Sequence, residues 1–359
     1  MTGADYTVAI ISGPFTQAGN ISIIDKFTKA QIAIENGVDL VIELPQIYAT
    51  ASAKHFANGA ITLLNKLNIV DYVCFGSECD NIDLLQSIAN KIVNNESILQ
   101  NEISKLDKNI SYAQAREIAL SKILNEDELA IIKNSNDILG IEYLISLIKQ
   151  NSTIKPFCIK RDNKFISATN IRENLKENNF DNVKNFVPNN TYEYISKDYI
   201  LNEDIFQILK YIINTKDISE LKNINGICDG LENKIKKEII NSTNYEDFIF
   251  KIKSKRYQLS RIKRLIISIL LNITQEDFDY AIQNNIQYIR ILKCNENGKK
   301  LLSQISKKSS LDLITSLNQK SLKKTHKDTL KYINMDIHAQ NIYSIIKKEE
   351  TNKDYTNKI

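Results

Sequence analysis

A chain of 359 residues, 43% apolar and 25% charged, has the material for a real core and, at roughly 100–200 residues per domain, for two of them. Its formal charge of +4 and pI near 8.5 admit a polyanionic partner only if the charge is clustered. Five scattered cysteines (Cys74, Cys79, Cys158, Cys228, Cys294) without a C-x-x-C pair argue against a disulfide framework and a thiolate zinc site, and no apolar run or N-terminal pattern suggests a membrane span or a signal, so a reducing cytoplasm is expected.

In chain order, Thr7–Ser12 reads as a buried strand ending at Gly13-Pro14, followed by a glycine-bearing loop through Gln17, Gly19 and Asn20. Ile24, Phe27, Ala30, Ala33 and Ile34 recur at helical spacing, and Gly37 stands where a helix C-cap favours glycine. Asp39–Leu44 is a second strand closed by Pro45, and Ala51–Leu67 a helix. Tyr72–Phe75 is an apolar run without alternation, which suits a strand buried on both faces of a parallel sheet. It stops at Gly76.

This alternation predicts an α/β fold with a Rossmann-like parallel sheet. Ligands in such folds sit beyond the carboxyl ends of the strands, so Gly76, Ser77 and Glu78 are candidates to approach a phosphate or a base; a plain strand-to-loop glycine is the competing reading. Helical patterns follow at Ile82–Val93, Tyr112–Leu124, Glu126–Lys133 and Leu139–Gln150, and Pro156–Ile159 reads as another short strand. There is no G-x-G-x-x-G and no Walker sequence. After about residue 175 helical periodicity dominates, as in Ile205–Ile213 and Leu259–Leu271, which places a boundary in Asn178–Asn190. Residues 1–178 then form the α/β domain and 179–359 a mostly α-helical, basic one, with fraying expected from about Lys347.

Three further stretches could carry chemistry. In Ile166–Glu173, Asn170 and Glu173 have capping-box spacing, and Ser167, Thr169 and Arg172 would add hydroxyls and a guanidinium at a helix start, a combination that suits phosphates; an ordinary capped helix is the bland reading. Asn136 opens an amphipathic helix and could cap it without any ligand. In Lys251–Arg264 seven of fourteen residues are basic and none acidic, so Lys253, Lys255, Arg256, Arg261, Lys263 and Arg264 are read as contacts to a nucleic-acid backbone rather than as a merely solvated helix face. His55, His326 and His338 lack ligand spacing, and no metal site is expected.

Together these stretches resemble the bacterial tRNA(Met) cytidine acetate ligases, relatives of the H-x-G-H nucleotidyltransferases. The likeness runs through Ile10–Gly13 with Gln17 and Gly19, Ile23–Phe27, Gly37–Pro45, Phe75–Glu78, Ile138–Tyr143, Ile166–Thr169 with Ile171-Arg172, and Lys255–Arg264. The resemblance implies activation of acetate by ATP as acetyl-adenylate and transfer of the acetyl group to N4 of the wobble cytidine of elongator tRNA(Met). It implies ATP held partly at Gly76, Asn136 and Arg161, with magnesium carried by the nucleotide. The family pattern also includes a first strand and an H-x-G-H helix start, and Met1–Asp5 match only the end of that unit; no H-x-G-H occurs in this chain. Ala18, Asn20 and Ala51 stand where the family has arginine, glutamate and glutamine. The expectation is either a longer natural protein or a degenerate copy, with weak ATP binding and marginal folding of the chain as it stands. A non-catalytic tRNA-binding relative is the alternative.

Overall fold

The computed structural model describes residues 2–106, 110–161, 167–228, 230–254, 257–318, 322, 325 and 327–357. Among them the strands are β1 (Val8–Ser12), β2 (Leu40–Leu44), β3 (Tyr72–Ser77), β4 (Lys155–Lys160), β5 (Tyr288–Cys294) and β6 (Asp312–Ile314). The chain separates into two compact units, one comprising Met1–Ala4, Ser52–Lys164 and Ser254–Gln258, the other Asp5–Ala51, Phe165–Lys253 and Leu259–Ile359.

The fold class is mixed α/β with parallel strand pairs, but the single wound sheet expected from the sequence is two sheets. In the larger unit β1 and β2 pair in parallel, with Val8 opposite Leu40 and Ser12 opposite Leu44. The other edge of β2 is taken by β5, antiparallel, and β6 completes the order β1-β2-β5-β6. In the smaller unit β3 and β4 form a parallel pair of their own. A strand–helix alternation specifies that strands run parallel; it does not specify which strand is whose neighbour, and that is where the expectation failed.

β2 is buried throughout, as a continuous apolar strand requires. β3 is not. Tyr72, Cys74 and Gly76 face outward while Val73, Phe75 and Ser77 face the helix Ser135–Lys149, whose Tyr143 ring lies 5.7 Å from that of Phe75. A run of Tyr, Val, Cys and Phe lacks polar alternation, yet tyrosine and cysteine tolerate water well enough to form a one-sided strand. The same helix presents Gly140, and any side-chain carbon there would lie 2.5 Å from the Phe75 ring.

The second half of the chain is mostly helical and also contributes strands β5 and β6. Tyr288–Leu292 are buried in β5, including Arg290. The residues from Lys347 onward do not simply fray, because Asp354 in the turn Lys353–Thr356 is 1% exposed. Its carboxylate lies 2.9 Å from the fully buried ammonium of Lys26, which also pairs with Glu43 of β2 at 2.9 Å. The stretch 178–190 contains the helix Phe180–Phe186, whose Val183 packs with Leu175, Ile195 and Ile24. Among the described residues no helix is long and apolar enough to cross a membrane.

Candidate functional site

In the smaller unit, parallel pairing brings Gly76 opposite Ile159 and Ser77 opposite Lys160, and the Arg161 amide donates to the Ser77 carbonyl at 2.9 Å. The carboxyl ends of β3 and β4 therefore lie side by side. The helix Ser135–Lys149 arrives at the same end. Its N-cap is Asn134, so Asn136 lies in the first turn and does not serve as the cap. The Asn134 side chain accepts from no amide of the helix and donates instead to the Asp137 carboxylate at 2.9 Å, so the amides of Asn136 and Asp137 are satisfied from outside.

Glu78 provides that cap. Its carboxylate accepts from the Asp137 amide at 3.0 Å, the Asn136 amide at 3.4 Å and the Asn136 side-chain amide at 2.6 Å. In return Asp137, fully buried, accepts from the Ser77 hydroxyl at 2.6 Å and from the amides of Glu78 at 3.0 Å and Cys79 at 3.2 Å. The Ser77 hydroxyl in turn accepts from the Asp80 amide. Loop and helix start thus satisfy each other, which fixes the loop without any ligand.

Gly76 lies on the outward face of β3, away from this packed corner. Its φ is not in the left-handed region, and an added Cβ would meet nothing within 4 Å. Neither conformation nor packing requires glycine there. Gly76, Asn136 and Arg161, which the family resemblance implies as ATP-holding residues, are thus brought to one end of the two-stranded sheet. Asp137 was missed by sequence reasoning; next to Asn136 it looked like more of the same cap.

Ser167, Thr169 and Arg172 belong to the larger unit. The helix Ala168–Lys176 starts one turn earlier than predicted, because Ser167 is the N-cap and accepts from the Asn170 amide. The expected Asn170–Glu173 capping box is replaced by this Ser167–Asn170 pair, since serine is as good a cap and comes first. Thr169 is exposed. Arg172 is half-buried; it donates to the Ala168 and Ile21 carbonyls, and its Nε is buried without an acceptor.

Arg172 is one of four cations around the loop that follows β1. Lys29 donates to the Ser12 and Gly13 carbonyls at 2.7 Å each, Lys263 to the Asn20 side-chain oxygen at 3.2 Å, and Arg264 to the Gln17 carbonyl at 3.3 Å. Gly19 fits against the Lys263–Arg264 backbone only because it has no side chain and takes a φ of 76°. Burial pushes Lys29 down to about 8 and Arg264 to about 10, and lowers Arg172 and Lys263 as well. Their hydrogen bonds go to neutral oxygens, while the carboxylates of Glu43 and Asp25 lie near Lys29 and those of Glu203 and Glu246 near Lys263. Lys29 was also missed, since its spacing shows only the outer side of an amphipathic helix.

Of the other basic candidates, Lys253 is exposed and Arg261 approaches the sulfur of Cys228 at 3.4 Å. Lys255 and Arg256 lie outside the described residues.

The comparisons agree along the chain. The model of the HIGH Nucleotidyl Transferase family matches residues 1–358. A tRNA(Met) cytidine acetate ligase of Clostridium botulinum is 39% identical over 99% of this chain and 91% of its own length, and one from Clostridium novyi is 39% identical over 97% and 90%. A crystal structure of Thermotoga maritima TmcAL bound with alpha-thio ATP superposes with a TM-score of 0.92 at 33% identity, covering 99% of this chain and 91% of that one. This chain belongs to the tRNA(Met) cytidine acetate ligase family of HIGH nucleotidyl transferases.

Proposed function

We propose that this chain is an ATP-dependent ligase that acetylates N4 of the wobble cytidine of elongator tRNA(Met). An acetate oxygen attacks the α-phosphate of ATP, pyrophosphate leaves, and the cytidine amine then displaces AMP from the acetyl carbonyl and loses a proton. Such chemistry asks mainly for alignment and charge neutralisation, so an asparagine and an arginine beside a glycine that lets the nucleotide come close are adequate to hold it. Magnesium would arrive on the ATP phosphates.

The observation that carries this reading is the convergence of Gly76, Asn136 and Arg161 at one sheet end, in a chain 39% identical to curated ligases. The helical, basic half, 179–359, is assigned to the tRNA, with Lys253, Lys255, Arg256, Arg261, Lys263 and Arg264 as backbone contacts, and the bacterial cytoplasm as the compartment. A non-catalytic tRNA-binding relative is the weaker reading. It gives no reason for a glycine at 76, which the fold itself does not need. Acetate-dependent exchange of labelled pyrophosphate into ATP tests the first step; exchange that proceeds equally without acetate would refute it.

A further inference from the structure

The two-stranded sheet is closed on one side and open on the other. On the closed side Phe75 packs on Tyr143, and Ser77, Glu78 and Asp137 satisfy one another. On the open side the parallel register sets Cys74 beside Phe157 and Gly76 beside Ile159. Here Cys74 is exposed, Ile159 is 57% exposed, and the space over Gly76 is unfilled. An exposed isoleucine alone is ordinary. This one stands directly opposite a strand glycine that neither conformation nor packing calls for, and a glycine at such a place lets a ligand lie against the backbone. Arg161 follows β4 and is exposed, and the alternation through Phe157 and Ile159 carries position 161 to the same side. From Phe157 onward this side therefore passes from apolar to cationic, an order that suits a planar apolar group joined to phosphates.

We propose that the adenine ring of ATP lies flat on this open side, over the Gly76 backbone and against the side chains of Ile159 and Cys74, with the triphosphate running past the strand ends to Arg161. Ile159 is then a nucleotide-binding residue that acts by apolar contact: the ring displaces the water that Ile159 otherwise meets. A side chain at 76 would lift the ring off the backbone and off Ile159 together. This inference rests on the reading of Gly76, Asn136 and Arg161 as a nucleotide site.

The test is alkylation of Cys74 by iodoacetamide in the full chain, resolved from the other cysteines by peptide mass spectrometry, with saturating ATP or inorganic tripolyphosphate, together with calorimetry on Ile159→Thr. ATP is expected to slow alkylation of Cys74 by about tenfold or more, and tripolyphosphate to change it by less than about twofold. Threonine keeps the β-branched shape of a strand residue, so Ile159→Thr should fold as wild type, which unchanged circular dichroism checks. Its ATP affinity should fall by about fivefold or more while its tripolyphosphate affinity stays within about twofold of wild type. ATP that binds yet leaves Cys74 equally reactive overturns the proposal, as does an unaltered ATP affinity of Ile159→Thr. Equal protection by tripolyphosphate would place the phosphates on this side and also overturn it. Protection that grows with protein concentration in the absence of nucleotide would put a second copy of the chain there instead, again against the proposal. A wild-type chain that binds no nucleotide at all would strike the underlying site along with this refinement.

Discussion

Glu78 and Asp137 each accept a hydrogen bond from the other's backbone amide, both at 3.0 Å. The arrangement joins the loop after β3 to the first turn of the Ser135–Lys149 helix and gives each the cap it lacks alone. Asp137→Ala would orphan the buried Ser77 hydroxyl and the loop amides. It should destabilise the protein by roughly 1–3 kcal/mol, read from the urea midpoint. An unchanged midpoint would mean that the loop amides find other partners and that the clasp is not what orders it.

Two glycines on either side of this corner should respond in opposite ways. Gly140→Ala places a carbon 2.5 Å from the Phe75 ring, and overpacking of that kind costs about 1–3 kcal/mol. Gly76→Ala meets open space, so its thermal midpoint should match wild type while its affinity for ATP falls. If Gly76→Ala retained full ATP affinity, a close approach of the nucleotide to that backbone would be ruled out.

The contrast between these glycines also shows what the sequence could and could not reveal. Both follow or flank apolar runs, and sequence alone treats both as local punctuation. Strands β1 to β4 and most helices were legible because hydrophobic period is a local signal. The partition of β3 and β4 into a separate sheet was not, because strand neighbours are set by contacts distant in the chain. Gly76, Asn136 and Arg161 were legible through the resemblance. Asp137 and Lys29 were hidden because their roles depend on groups 58 to 60 and 16 or 17 residues away.

The buried charges beneath β2 make a pH-dependent contribution. Burial first, and the nearby Glu43 carboxylate second, push Asp336 up to about 8 from its ordinary 3.8. The folded protein then holds this proton more tightly than the unfolded chain does. Stability from it is full below about pH 4 and is lost as pH rises toward 8. Asp336→Asn can still accept from the Gln46 amide and meet the Tyr288 hydroxyl. Its thermal midpoint should therefore fall less than that of wild type between about pH 5 and about pH 8. Parallel curves would show that Asp336 is ionised throughout.

Lys26→Met removes the ammonium shared by Glu43 and Asp354 and leaves two carboxylates buried together. Loss of one partner from a buried pair costs about 3–5 kcal/mol, enough to lower the denaturant midpoint sharply. A neutral effect would mean that one carboxylate simply takes up a proton.

The basic segment can be dissected by salt. Lys253→Ala should reduce the slope of log affinity for tRNA against log salt by about one phosphate contact, with the thermal midpoint unchanged. Arg264→Ala should weaken tRNA binding and also lower the midpoint, because Arg264 holds the Gln17 carbonyl of the loop after β1.

The most direct measurement is mass spectrometry of nucleosides from tRNA(Met) incubated with this chain, ATP and isotopically labelled acetate. The account predicts labelled N4-acetylcytidine at the wobble position that requires all three additions and disappears with Asn136→Ala. A chain that binds ATP and tRNA(Met) yet transfers no label would contradict it, and would identify a binding protein in place of a ligase.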